Sequence, residues 1–270
     1  MKKRRAAALL LTLAMVMALA LSACGSKQNG GSSSDSDLKY VQDKGVLVVG
    51  ITEFEPMDYQ DADGSWIGFD ADMAAAFAEY LGVKVEFQII DWDNKVMELE
   101  GKTIDVVWNG MTLTDEVKSA MACSNPYFNN AQVAIVPADK AGQYQPVESL
   151  ADLQFAVENG SAGQEVLDGL GYSYTPVQDQ ATTLLEVSSG TSDAAVIDYL
   201  MAAAMVGEGT SYADLTYTVE LNSEEYGVGF RKDSDLAAKL NEFFVKSYAD
   251  GTMQKVAETY NIADKLIEQK

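Results

Sequence analysis

Four short stretches hold the side chains best suited to meet a small polar molecule: Thr52 to Glu55, Asn109 to Thr112, Asn159 to Ala162, and Asp198. They combine hydroxyls, amides, small residues, a carboxylate and an aromatic ring, Phe54. Such groups orient a ligand by hydrogen bonds and an apolar face. Proton-moving chemistry has less to draw on. The chain has no His, so the usual general base near pH 7 and the commonest zinc ligand are both missing. A Ser-His-Asp or Cys-His mechanism in its ordinary form is excluded. Two Cys cannot build a disulfide scaffold or a four-thiolate metal site. No catalytic residue, metal or cofactor is expected.

Each of the four stretches follows a predicted strand. Residues 44–50 read as a short buried strand, β-branched and bounded by Gly45 and Gly50. A helix is predicted over 70–81, with Met73, Phe77 and Tyr80 or Leu81 on one face and Gly82 ending it. Val83 to Ile90 reads as a second strand. Asp91 or Asp93 is positioned to cap a helix carrying Val96 and Leu99, which Gly101 stops. Ile104 to Trp108 is a third strand. The second half repeats the alternation, with strands at Phe155–Val157 and Ala194–Ile197. Its helices are predicted over 163–169, over 180–188 to Gly190, and after Asp198. Gly101 to Asp105 and Gly190 to Asp193 are similar phrases, each leading into a buried strand. A last helix over 234–249 has Ser234 or Asp233 as cap, Leu236, Leu240, Phe243 and Phe244 as its core stripe, and Gly251 as stop. Strands alternating with helices indicate parallel βαβ units. Ligands of open α/β sheets bind beyond the carboxyl ends of strands, which singles out the four stretches above.

Charge narrows the partners. The chain has 270 residues, 19 Lys plus Arg, 41 Asp plus Glu and a formal charge of −22. This acidity opposes binding to a phosphate backbone, so no nucleic-acid partner is expected. The first 23 residues have the form of an export signal: Lys2, Lys3, Arg4 and Arg5, an apolar run from Ala6 to about Leu21, then small residues. Leu21-Ser22-Ala23-Cys24 resembles a bacterial lipobox, in which the Cys becomes the lipidated first residue. Cleavage there removes four of the 19 cations and none of the 41 anions, leaving a net −26 and Arg231 as the sole Arg. Residues 24–37, mostly Gly, Ser and Asp, form an expected flexible tether. Cys123 is left without a partner and reads as a small half-buried apolar residue.

Over residues 38–262 the sequence resembles the substrate-binding lipoproteins of ABC importers, polar amino acid class, also called extracellular solute-binding proteins of family three. The resemblance rests on the order and spacing of several stretches: Gly64 to Met73, Gly82 to Phe87, Gly110 to Thr114, Ser124 to Tyr127, Ser149 to Leu153, Glu224 to Val228 and Asp250 to Thr252. It implies an α/β fold of two lobes, a type II periplasmic-binding-protein clamshell with two crossing hinge strands near Gln132–Pro137 and Leu221–Gly227. Lobe one would hold 38–133 and 224–270, and lobe two 136–221. By position, Phe54 would cover the ligand. Asn109, Gly110 and Thr112 would offer backbone groups and a hydroxyl. Ser161 and Ala162 would present a helix N-terminus, and Asp198 would pair with an α-ammonium. Residue by residue, Phe54 also reads as core, and Thr112 and Asp198 also read as helix caps.

One position departs from the family pattern. Where the family places an Arg for the α-carboxylate, this chain has Val117. A charge-assisted contact contributes on the order of 1.5–3 kcal/mol, more than a neutral hydrogen bond. Its absence leaves backbone N–H groups, Thr112, Ser161, Asn109 or a Lys, nearest Lys118, to hold a carboxylate. Glu53, Glu55 and Asp198 would instead favour a cationic ligand. The expected protein is a monomeric receptor, anchored through lipidated Cys24 on the extracytoplasmic face of the cell membrane. It would bind an amino acid or related amine and pass it to an ABC permease and its ATPase. The alternatives are a receptor for a signalling partner, an exported dehydratase of the same fold, or a surface lipoprotein without a cleft.

Overall fold

The computed structural model describes residues 36–270. The expected signal segment, Cys24 and the tether as far as Asp35 lie outside them. Ser36 and Asp37, expected to end the tether, belong to the folded part. Ser36 caps helix α1 (Asp37–Lys44) by accepting from Lys39 N, and Asp37 forms an ion pair with Arg231.

Two sheets organise Ser36–Lys270. The first is built from β1 (Val46–Ile51), β4 (Lys84–Ile89), β5 (Val106–Thr112), β6 (Ala122–Cys123), β7 (Phe128–Asn130) and β13 (Glu224–Phe230). Its order is β4-β1-β5-β13-β6, with β7 also pairing β13. The second contains β8 (Gln132–Pro137), β9 (Phe155–Glu158), β10 (Tyr174–Val177), β11 (Ala194–Asp198) and β12 (Leu215–Glu220), in the order β10-β9-β11-β8-β12. A small hairpin of β2 (Tyr59–Gln60) and β3 (Trp66–Ile67) stands apart. Within each sheet the strands joined by helices run parallel, as the alternation predicts. The strands that the chain supplies on crossing between sheets, β8 and β13, run antiparallel to their neighbours.

The chain crosses from the first sheet to the second at Ala131 and returns over Leu221 to Ser223. The first crossing therefore precedes the expected hinge strand: Gln132–Pro137 pairs throughout with the second sheet. The described residues thus form the expected two-lobed α/β type II fold.

Helix α2 (Phe69–Leu81) shows how the sequence makes an element. Phe69, Met73, Phe77 and Leu81 fall on one face and are buried against β1 and β5, and Gly82 ends the helix in the left-handed region. Helix α3 (Lys95–Glu100) departs from expectation. A 3-10 turn at Trp92–Asn94 precedes it and takes in Asp93, Asp91 makes no side-chain cap bond, and Asn94 holds the cap position of α3 without one. Helix α4 (Asp115–Ala120) is capped by Thr114, not Thr112. Helices α5 (Ala162–Leu170) and α6 (Gln180–Ser189) match the predicted pair, with Ser161 and Asp179 as caps. Helix α7 (Tyr199–Met205) follows Asp198. Helix α8 (Leu236–Ala249) buries the expected stripe, and Ser234 Oγ accepts from its first N–H, Leu236 N, at 3.3 Å, while Asp233 does not cap it. Asp235 holds the cap position, and its carboxylate bonds Leu38 N at 2.9 Å and Ser36 Oγ at 2.5 Å instead. Gly251, left-handed at φ 82° just past the C-cap Asp250, stops α8 as expected and also precedes the last helix, α9 (Thr252–Thr259).

The two similar phrases before buried strands do the same work in each lobe. The Asp105 carboxylate accepts from Val48 N, and Asp193 accepts from Gln154 N. Each Asp ties its own strand to the start of the neighbouring parallel one.

Candidate functional site

A cavity of about 250 Å³ lies between the lobes. Phe54, Asn109, Gly110 and Thr112 enter it from the first lobe, and Ser161, Ala162 and Asp198 from the second. All seven residues singled out in the sequence are brought together there. The tertiary structure changes what several of them can do.

Asn109, Gly110 and Thr112 are not in a loop. Strand β5 continues through Thr112 because β13, more than a hundred residues later, pairs with it there: Tyr226 opposes Thr112 and Gly227 opposes Met111. The Asn109 side chain is occupied. Its Oδ1 accepts from Thr52 N at 2.9 Å and Thr52 Oγ1 at 2.8 Å, and its Nδ2 donates to Thr52 O and Asp58 Oδ2. Gly110 N donates to Asp70 Oδ2 at 2.6 Å. Thr112 Oγ1 donates to Glu224 Oε1 at 2.8 Å. Much of the polar capacity of this wall is thus spent on positioning the wall itself.

Gly110 is constrained twice. Its φ is 55°, and a Cβ there would stand 2.6 Å from the Phe54 ring and 3.1 Å from the Tyr226 ring. Only glycine lets the backbone pass so close to Phe54. The Phe54 ring meets Tyr226 edge-on at 6.3 Å between centroids and is almost fully buried, so it is both core and cavity wall.

Asp198 sits at the N-cap position of α7 but makes no side-chain cap bond. Its Oδ1 accepts from Gln132 Nε2 at 3.0 Å, from the Tyr226 hydroxyl at 2.8 Å and from Asn130 Nδ2; its Oδ2 accepts from Gln180 Nε2. Glu224 Oε1 shares the Asn130 and Gln132 amides. Burial pushes the Asp198 carboxyl well above the usual carboxylate range, and the neighbouring Glu224 charge adds to the rise. A carboxylate offers about four lone-pair directions. Three donors fill Oδ1, and one direction on Oδ2 remains for a further donor. In the second lobe, Ser161 Oγ accepts from Gln164 N at 3.2 Å and caps α5, whose first N–H groups lack partners inside the helix.

The cavity also contains residues that sequence reasoning missed. Glu158 ends β9, one position before the stretch predicted to matter, and lines the cavity at 2% exposure. A carboxylate closing an otherwise apolar strand was the available signal. Lys95 lines the cavity too, and its Nζ crosses between lobes to Gly160 O at 2.9 Å while donating to Trp92 O at 3.2 Å. Lys118, the nearest lysine by sequence, lines a separate hollow beside Asn222–Glu225. Val117 lies in the main cavity wall, but Glu53 and Glu55 do not line it. Arg231 is buried away from the cavity, bonded to Asp37, Asp105 and the carbonyls of Leu99 and Ile104.

Cys123 is half-buried, and burial raises its thiol pKa. Among the described residues no cluster of three or more His, Cys, Asp or Glu has the arrangement of a metal site, and no helix is long and apolar enough to cross a membrane.

Residues 47–263 match the model of the bacterial extracellular solute-binding proteins, family 3. The L-cystine-binding protein TcyJ of Escherichia coli (strain K12) is 29% identical over 253 residues, covering 92% of this chain and 94% of the relative. An ABC uptake transporter substrate binding protein from Streptococcus pneumoniae, solved with bound histidine, is 29% identical with a TM-score of 0.78, over 87% of this chain and all of that one (100%). The ancestral amino acid-binding protein AncCDT-1, described as a precursor of cyclohexadienyl dehydratase, is 30% identical with a TM-score of 0.76, over 83% of this chain and 99% of that one.

Proposed function

Because the chain belongs to the bacterial extracellular solute-binding proteins of family 3, we propose that it captures an amino acid or related amine between its lobes and delivers it to an ABC permease driven by an ATPase. The observation that carries this reading is the cavity itself, lined from both lobes by Phe54, Asn109, Gly110, Thr112, Ser161, Ala162 and Asp198. A ligand there would bridge two sheets whose chain connections lie at Ala131 and Leu221–Ser223. Binding energy would thus favour the closed arrangement over an open one. Phe54 would cover the apolar part of the ligand, the α5 N-terminus would receive an oxygen, and the remaining direction on Asp198 Oδ2 would receive an ammonium hydrogen.

The action is binding and release, without chemistry on the solute. The receptor works as a monomer held at the extracytoplasmic face of the cell membrane by a lipid on Cys24. The two sheets with their helices are the moving lobes, and the residues before Ser36 are a cleaved signal and a tether.

The test is a calorimetric and thermal-shift screen of the purified protein against amino acids, polyamines and small organic cations. At least one should raise the melting temperature in a concentration-dependent way; silence across the whole panel refutes the reading. Asp198→Ala should abolish binding. It should also cost about 1–3 kcal/mol in urea unfolding, because buried amide and hydroxyl donors lose their acceptor. Undiminished affinity would remove Asp198 from the site.

A further inference from the structure

The structure assigns a second anionic subsite to this cavity: Glu158 receives a cationic N–H group of the ligand, so the preferred solute is an organic cation, an amine or guanidine with more positive than negative charge. This rests on the solute-receptor reading and specifies its ligand class.

Glu158 differs from every other buried carboxylate that lines the cavity. It is 2% exposed, its Oε1 is fully enclosed, and that oxygen has no hydrogen-bond partner. Asp198, at 3% exposure, accepts from four side chains. A buried carboxylate oxygen without a donor is costly, and a fold retains one where something else supplies the donor. Among the described residues no cation bonds to it. Among the described residues Lys95 is the only basic one lining the cavity; two of its three N–H donors go to the carbonyls of Trp92 and Gly160, and it forms no ion pair with Glu158.

The charge around the subsite points the same way. Six acidic side chains line the cavity, Asp93, Glu116, Glu158, Glu165, Asp168 and Asp198, against Lys95 alone. Burial, and then the like charges of Asp198 and, from the start of α6, Asp179, push the Glu158 carboxyl well above the usual range, while the Lys95 charge and a hydrogen bond with the Thr52 side chain oppose them. A ligand cation would relieve that repulsion; a ligand with net negative charge would add to it. Val96, Met111, Val117 and Ala120 complete the wall with apolar surface, suited to the alkyl part of such a molecule.

The test compares molecules alike in shape and different in charge. Isothermal titration of the purified protein is run with L-arginine, agmatine, which keeps the guanidinium and lacks the carboxylate, and L-citrulline, which replaces the guanidinium with a neutral ureido group. L-ornithine and putrescine extend the series to amines. We expect at least one of the cations to bind at least tenfold more tightly than citrulline. Glu158→Gln should lower that cation's affinity at least tenfold while leaving citrulline unchanged or improved, a reversal of preference that a merely structural role would not produce. Equal binding of the neutral and cationic molecules by the unaltered protein overturns the assignment, even if the variant does not fold. So does an unchanged cation affinity in a folded Glu158→Gln protein. Binding of only a neutral or acidic amino acid in the wider screen overturns this assignment and leaves the receptor reading intact. Binding of nothing in that screen overturns both.

Discussion

The far end of the first lobe and the cavity between the lobes bury carboxylates in opposite ways. At the far end, Asp105 meets Lys44 Nζ at 2.5 Å, Arg231 Nη2 at 3.4 Å and Val48 N at 2.9 Å, while Asp37 takes the Arg231 Nε. The remaining Arg231 donors reach two backbone carbonyls, and the guanidinium lies beside the Tyr40 ring. Charge and hydrogen bonds are matched within the chain. In the cavity, Asp198 is matched only by neutral donors, and Glu158 Oε1 has none. The difference separates architecture from recognition. The one arginine of the folded part completes a buried network, and the unmatched acid faces the space where a solute would sit.

The largest expected effect comes from breaking the matched end. Arg231→Met leaves Asp37 without its cation and Asp105 with Lys44 alone, and should cost about 3–5 kcal/mol in urea unfolding. The solute affinity of the protein that remains folded should not change. A loss under about 1 kcal/mol, the range of exposed pairs, would show that this network is no more than a surface contact.

A smaller effect is expected at the cavity wall. Gly110→Ala places a methyl against the Phe54 and Tyr226 rings at a backbone φ that disfavours it. Overpacking of this kind costs about 1–3 kcal/mol. Because Phe54 must move, affinity should fall as well. Stability lost with affinity unchanged would place Phe54 in the core alone.

A third test distinguishes neutral from charged matching. Asp70 is wholly buried and accepts from Trp108 Nε1, Gly110 N and the Tyr127 hydroxyl, all neutral donors. Burial pushes its pKa from 3.8 to about 7, against the lowering effect of those bonds. The folded chain therefore holds this proton more tightly than the unfolded one. Stability from Asp70 is complete below about pH 4 and is lost as pH rises toward 7. Asp58, raised by burial and by the Asp70 charge, acts with the same sign. Urea titrations of the unaltered protein and of Asp70→Asn at several pH values between 4 and 8 should differ by that downward slope; parallel curves would show that Asp70 is ionised throughout.

Much of the architecture was legible in the sequence because it depends on local period and local stops. Buried strand β1, the face of α2, the glycine ends of α2 and α6, and the apolar stripe of α8 follow from residues within a few positions of one another. Departures arise where a distant segment intervenes. Strand β5 runs on through Asn109–Thr112 because β13 pairs with it, and the α8 cap residue is drawn to Leu38 and Ser36. The seven candidate residues were found because they follow strands and resemble a family pattern. Glu158 and Lys95 escaped because one is counted with its strand and the other with its helix.

By itself the sequence determined the alternation of strands and helices, the family resemblance, the acidity and the scarcity of arginine, since each is a matter of composition, order or spacing. Only the tertiary structure decided which charges are satisfied. Whether Arg231, Lys95, Asp198 and Glu158 have partners depends on groups brought together from far along the chain, and the free energy of a buried charge is set by those neighbours rather than by its own position in the sequence.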